Sequence, residues 1–286
     1  MPRALTRPQR PSFLTTLHPS SPAGMLGSTS EQQGMARRVV AAVVAGGLVG
    51  SLDGGGDGAP TLQRRAAQLN PVPLRDLDML LTQLCAAMPV VLMPGSGDPT
   101  NYVLPQQPLH RALLPGAASF PGSLHRCPNP CEFEVAGVNF VGTSGQNVDD
   151  LWRNTAASDR MDLLEALARS RHLAPTAPDT LASYPFYQSD PFVLERAPHV
   201  LFAGNQPEFG TRMVEGKRTA RLLLHWDVQG CDLCGSCTGP DGQRCLLVAV
   251  PRFRTTGTVA LVNLRTLEAE AMVIEDLANG PLSMGE

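Results

Sequence analysis

The chain has 286 residues, 43% of them hydrophobic and 17% charged, with a formal net charge of −3. That apolar fraction is too high for a disordered chain, and the slightly acidic balance excludes a protein that grips a nucleic-acid backbone by bulk charge. Twenty-seven glycines and 26 prolines demand a large share of turn and loop.

Residues 1–35 read as a low-complexity tail. The first thirty are rich in Pro, Ser and Arg and carry no acidic residue. Two readings stand, a disordered tail or an organelle transit peptide; the prolines oppose the amphipathic helix that the second requires. Residues 36–286 read as one domain. It opens on a buried strand, Val39 to Ala45, which ends at Gly46-Gly47 and runs into a glycine-rich loop over 50–60. The stretch 39–48 is strand-length and falls short of a membrane span. Pro73 opens a helix with an apolar stripe of Leu74, Leu77, Leu80, Leu81 and Leu84, closed by Pro89. Val90–Met93 is a second buried strand, so a β-α-β unit with a parallel pair is expected. Phe133, Val135, Val138 and Phe140 suggest a hairpin turning at Ala136-Gly137. One helix is expected after an Asn147 N-cap, another from Asp159 to His172. Strands are then expected at 199–203, 221–226, 245–250, 258–264 and 271–275, paired antiparallel because their links are short. The fold class is mixed α/β (α+β).

The segment 93–110, MPGSGDPTNYVLPQQPLH, is the most distinctive string in the chain. A glycine-bearing turn after a buried strand is where ligands of α/β sheets sit. Further ordered blocks follow: GTSGQN at 142–147, HLAPTAPDT at 172–180, YPFYQSDPF at 184–192, PHVLFAGNQPEFG at 198–210 and LVNLRT at 261–266. Together these resemble the DNA polymerase B-subunit family, in particular its delta-type small regulatory subunits. Non-periodic Pro/Gly/Asn strings in the same order are a specific signal.

The resemblance implies a calcineurin-like phosphoesterase sandwich flanked by helices, with its catalysis lost. The family carries an OB-type barrel before this domain, and the barrel and the domain's first strands are expected to be lacking here. The resemblance also implies how the site has decayed. An active two-metal phosphoesterase needs carboxylate, Asn and His ligands. In the turn that would read G-N-H-D/E, Ser96 and Gly97 replace Asn and His, and Asp98 remains. In the turn that would read G-H-x-H, Asn205 and Pro207 replace both histidines. Asp98 is then expected to accept hydrogen bonds from its own turn's backbone. No cofactor is implied.

By the same resemblance, the chain would be a non-catalytic scaffold in DNA replication. It would dock the cysteine-rich C-terminal domain of the polymerase delta catalytic subunit and help connect a third subunit. DNA and the sliding clamp would be reached through the complex. The compartment implied is the nucleus, or an organelle if residues 1–30 are a transit peptide. The rival reading is an active metal-dependent phosphoesterase or nuclease.

One departure from the family is a cysteine-rich insert at about 221–244. Cys231, Cys234, Cys237 and Cys245 have the spacing C-x2-C-x2-C-x7-C. They are weak metal candidates, because the second C-x2-C knuckle of a zinc ribbon is missing. The bland reading is a loop of free thiols. An odd total of seven cysteines favours a reducing compartment. Cys85 reads as core. The run 210–219 fails as a phosphate loop on glycine spacing and on Arg218 following Lys217. His110, His172 and His199 have no spacing that makes a metal pair.

Overall fold

The computed structural model describes residues 12–13, 38–49, 71–215 and 244–274. Apart from Ser12 and Phe13, the tail expected over 1–35 lies outside the described residues. So do the strand expected at 221–226 and the insert up to residue 243.

The elements in chain order are β1 (Ser12–Phe13), β2 (Ala42–Ala45), α1 (Pro71–Ala87), β3 (Val90–Met93), β4 (Leu124–Arg126), β5 (Cys131–Val135), β6 (Val138–Thr143), α2 (Gln146–Asn154), α3 (Arg160–Ser170), β7 (Val200–Gln206), β8 (Gly210–Glu215), β9 (Arg244–Pro251), α4 (Phe253–Thr256), β10 (Thr258–Asn263) and β11 (Glu268–Val273). They form a six-stranded sheet ordered β1-β5-β6-β7-β9-β8, a three-stranded sheet β2-β3-β4 and the hairpin β10-β11. The fold is mixed α/β, consistent with a phosphoesterase-like sandwich, with no closed barrel among the described residues.

Period-two burial explains the layering. Along β7, Val200 and Phe202 face one side of the large sheet while Leu201 and Ala203 face the other. β9 repeats this with Leu246 and Val248 against Cys245, Leu247 and Ala249. The first set joins Phe133, Phe140, Val91 and Met93 in a core between the two sheets. The second set meets α2 and α3 through Val148, Leu164 and Leu167. On the far side of the small sheet, Leu81 and Cys85 of α1 cover Val90 and Leu92. The layers therefore run helix, small sheet, large sheet, helices.

The β-α-β unit is as expected, with β2 parallel to β3 from Ala42↔Val90 to Ala45↔Met93. The helix stripe needs one correction. Leu80 is 60% exposed, since it stands off the line that Leu77, Leu81, Leu84 and Cys85 present to the sheet. The hairpin turns at Ala136-Gly137, both with positive φ. α2 starts before Asn147, which is therefore no N-cap: Gly145, with φ 95°, holds that position. The Asn147 side chain instead donates to the Leu173 carbonyl at 2.7 Å. α3 falls within the span expected from Asp159 to His172, and Asp159 proves to be its N-cap, accepting from Met161 N at 2.9 Å.

The antiparallel expectation for the closing strands holds only in part. β7 and β9 pair parallel, from Val200↔Leu246 to Ala203↔Ala249. β8, which the sequence pattern does not announce, pairs antiparallel with β9 on the outer edge. No short link sets the direction of β7 and β9, which are not consecutive: β8 and residues 216–243 lie between them. That connection leaves at Glu215 and returns at Arg244, which are direct partners in the β8–β9 ladder.

Candidate functional site

Parallel strands β2, β3, β6 and β7 end on the same side of the molecule; the first three run into Gly46-Gly47, Gly95 and Gly145, and β7 carries Gly204 at the irregularity near its end. These turns are in contact. A Cβ on Gly46 would lie 2.7 Å from Gly95 Cα, and one on Gly47 would lie 2.4 Å from Asn205 Oδ1. Both residues also have φ above +70°, so neither could carry a side chain without displacing a neighbouring turn.

Asp98 sits beneath this junction, 6% exposed. Its Oδ2 accepts from Gly95 N at 2.7 Å and Gly47 N at 3.0 Å. Its Oδ1 accepts from Leu48 N at 2.8 Å and Val49 N at 3.0 Å. The motif alone suggests bonds within its own turn, but three of the four donors belong to the turn after β2. Burial pushes the Asp98 carboxyl above its ordinary range, opposed by these four N–H donors. An ionised carboxylate has about four lone-pair directions. All four are taken, so Asp98 has none left for a cation.

The other expected remnants divide into two groups. Asn205, half-buried with φ 55°, donates through Nδ2 to Ala45 O and Ser144 O, both at 3.0 Å. It thus stands beside Gly47 and close to Asp98. Ser96, Gly97 and Pro207 are exposed at the rim. A two-cation centre would draw on carboxylates and imidazoles here. The side chains that fill the place supply amides and hydroxyls whose polar atoms bond one another, and the residues do not fit such a centre.

That amide cluster is not announced by the sequence. Asn129, 1% exposed, donates through Nδ2 towards Gln106 Oε1 (2.8 Å), Ser144 Oγ (2.9 Å) and Gln146 Oε1 (2.6 Å), and its Oδ1 accepts from Ser144 N at 3.1 Å. Gln106, fully buried, donates through Nε2 to Gly95 O and Asn101 O, both at 3.0 Å. Gln146 Nε2 reaches Gln106 Oε1 at 3.0 Å. The cluster ties the turns after β3 and β6 to the segment between β4 and β5. At its outer side, Arg160 pairs with Asp149 and donates to Gln206 Oε1 at 2.9 Å, and Arg252 donates to Asn205 O at 3.1 Å.

The histidines lie elsewhere. His199 Nδ1 accepts from Asn139 N at 2.9 Å, His172 meets Asp190 at 2.9 Å and His110 accepts from Ala112 N at 3.2 Å. Each tends its own loop or strand end. In the loop around Tyr184 to Phe192, Phe192 is buried at 3% while Tyr187 is 98% exposed. The loop borders a cavity of about 400 Å³.

Cys245 is buried on β9 among Leu247, Leu164 and Leu167, and burial pushes its thiol up to about 11. A thiol must lose its proton to ligate a metal. Cys231, Cys234 and Cys237 lie outside the described residues. Cys127, Cys131 and Cys85 are buried, with Cys131 Sγ 3.6 Å from Met93 Sδ. Among the described residues no group of three or more potential metal ligands comes together.

Residues 28–211 match the family of the DNA polymerase alpha/epsilon B-subunit. The chain is 39% identical over 249 residues to the DNA polymerase delta small subunit of Oryza sativa subsp. japonica, covering 87% of this chain and 52% of that protein. It is 38% identical over 252 residues to the protein of the same name from Arabidopsis thaliana (87% and 51%). It is 36% identical over 252 residues to the DNA polymerase delta subunit 2 of Drosophila melanogaster (86% and 51%). The chain spans about half the length of the curated relatives it matches.

Proposed function

Because the chain belongs to the DNA polymerase alpha/epsilon B-subunit family, we propose that it is a non-catalytic accessory subunit of a delta-type replicative DNA polymerase, acting as a scaffold. The names of its relatives, DNA polymerase delta small subunit and subunit 2, support the polymerase assignment. One observation carries the loss of catalysis: the buried Asp98 carboxylate at the junction of the strand ends spends all four lone-pair directions on backbone N–H groups. With Ser96 and Gly97 at the rim, and Asn205 and Pro207 where imidazoles would stand, this junction has no means to generate a metal-bound hydroxide.

A scaffold works by holding partners at fixed separation, which raises their effective concentration. A sandwich whose turns are bonded to one another through amides suits that task. The partner we assign is the catalytic subunit, through its cysteine-rich C-terminal domain. A third subunit joins the assembly, and DNA and the clamp are met only through it, in the nucleus. Co-expression of this chain with that C-terminal domain tests the reading. A co-purifying complex at fixed stoichiometry is expected, and its absence, even when the chain is extended to the full length of its relatives, would overturn the assignment. The rival phosphoesterase reading is tested separately. Purified protein in about 1 mM Mn²⁺ is expected to leave a phosphodiester substrate intact, and turnover abolished by Asp98→Ala would reinstate the enzyme.

A further inference from the structure

Three consecutive N–H groups, from Gly47, Leu48 and Val49, converge with that of Gly95 on one carboxylate at 2.7–3.0 Å. Successive amides that point inward from a turn with left-handed residues form a concavity that binds oxyanions. Gly46 and Gly47, with φ of 76° and 71°, supply that conformation. Here the anion comes from the chain itself, 50 residues beyond Leu48. We infer that this is an oxyanion-binding nest occupied from within by Asp98, and that removing the carboxylate turns it into a site for a small free oxyanion of the carboxylate class.

The nest belongs to two turns and does not depend on the scaffold reading. Its geometry sets the ligand class. Two oxygens each receive two N–H groups, which fits a planar carboxylate. The position is 6% exposed, and the two residues before it in the chain, Ser96 and Gly97, are exposed, so a small anion has a short way in. By holding 47–49 against the turn after β3, the anion also fixes the point from which the chain continues towards residue 50.

Thermal unfolding of the full chain in formate tests this, since formate is the carboxylate group without its chain. Three proteins are compared at equal ionic strength in formate and in chloride: wild type, Asp98→Ala and Asp98→Asn. Asp98→Ala is expected to melt lower than wild type by roughly 5–10 °C in chloride, and to regain about 3 °C or more in ~1 M formate. Wild type and Asp98→Asn are expected to show no such gain, because the first has its anion and the second fills the space with an amide. If formate raises all three equally, or raises none, the nest is not an oxyanion site. If Asp98→Ala is unfolded in chloride, the comparison moves to refolding. Folded signal returning in formate and not in chloride supports the inference, and equal recovery or none overturns it.

Discussion

Asn129 ties two distant stretches of chain to its own with one amide. It reaches Gln106, Ser144 and Gln146, which are 23, 15 and 17 residues away in sequence. Replacing it by Leu leaves the buried Ser144 N–H without its acceptor, costing about 1–3 kcal/mol, and takes one hydrogen bond each from Gln106 Oε1, Ser144 Oγ and Gln146 Oε1, which keep only their bonds to one another. The expected loss is about 3 kcal/mol, read as a fall in urea midpoint at constant slope; a change under about 0.5 kcal/mol would remove Asn129 from its central place. Gly142 offers a second test. A Cβ there would lie 1.9 Å from the Phe202 ring, which is packed edge-on to Phe133. Gly142→Ala is expected to cost about 1–3 kcal/mol as the ring shifts out of its packed position, checked by the same titration. In the sequence, Asn129 sits inside CPNPC, where the cysteines draw the eye. Its importance was illegible because its partners are distant and an amide carries no spacing rule.

At the scale of elements, α3 was readable and β8 was not. The apolar stripe of α3 is a local signal, and the helix, Arg160–Ser170, lies inside the expected span. β8 begins at a glycine and is nowhere fully buried, so it lacks the clean alternation that marks a strand. The parallel pairing of β7 with β9 is a matter of topology that no local pattern encodes. β8 is held to α3 by Arg212, which meets Asp159 at 3.0 Å, Asp162 at 2.7 Å and Glu165 at 2.8 Å. Hydrogen bonds from Arg212, and then from Arg169, hold the Glu165 carboxyl below its ordinary value of 4.5. A carboxyl depressed on folding contributes stability that is present above its unfolded value and is lost as pH falls through the folded one. Stability is therefore expected to decline on acidification below about pH 4.5, and Arg212→Met is expected to flatten that decline. Identical acid profiles for the two proteins would show that the cluster is not coupled to folding. Inside the same layer, Leu167→Ala removes a side chain 1% exposed and is expected to cost about 2–5 kcal/mol by denaturant titration.

For the whole molecule, the layers and the parallel β2–β3 pair were legible because buried strands and a striped helix announce themselves. The family signal lay largely in turn residues, and three of its blocks, at 93–98, 142–147 and 203–206, are brought together at the glycine junction. The cysteine-rich connection starts and ends at ladder partners, so it can be exchanged without moving either strand. Replacing 216–243 with Asn-Gly makes a two-residue hairpin. It is expected to leave co-purification with the proposed catalytic-subunit partner intact and to raise stability by up to about 2 kcal/mol through the shorter closure. A marked loss of melting temperature would instead mean that the connection packs on the domain.

The junction of Gln106, Asn129, Ser144 and Gln146 has a consequence of its own. None of these groups titrates between about pH 5 and 9, and none needs a bound ion to keep its shape. A junction made this way is blind to chelators, and its own groups keep their protonation through moderate swings in acidity. Its outline rests on chain-derived donors and acceptors, so stripping divalent ions is expected to leave it unchanged.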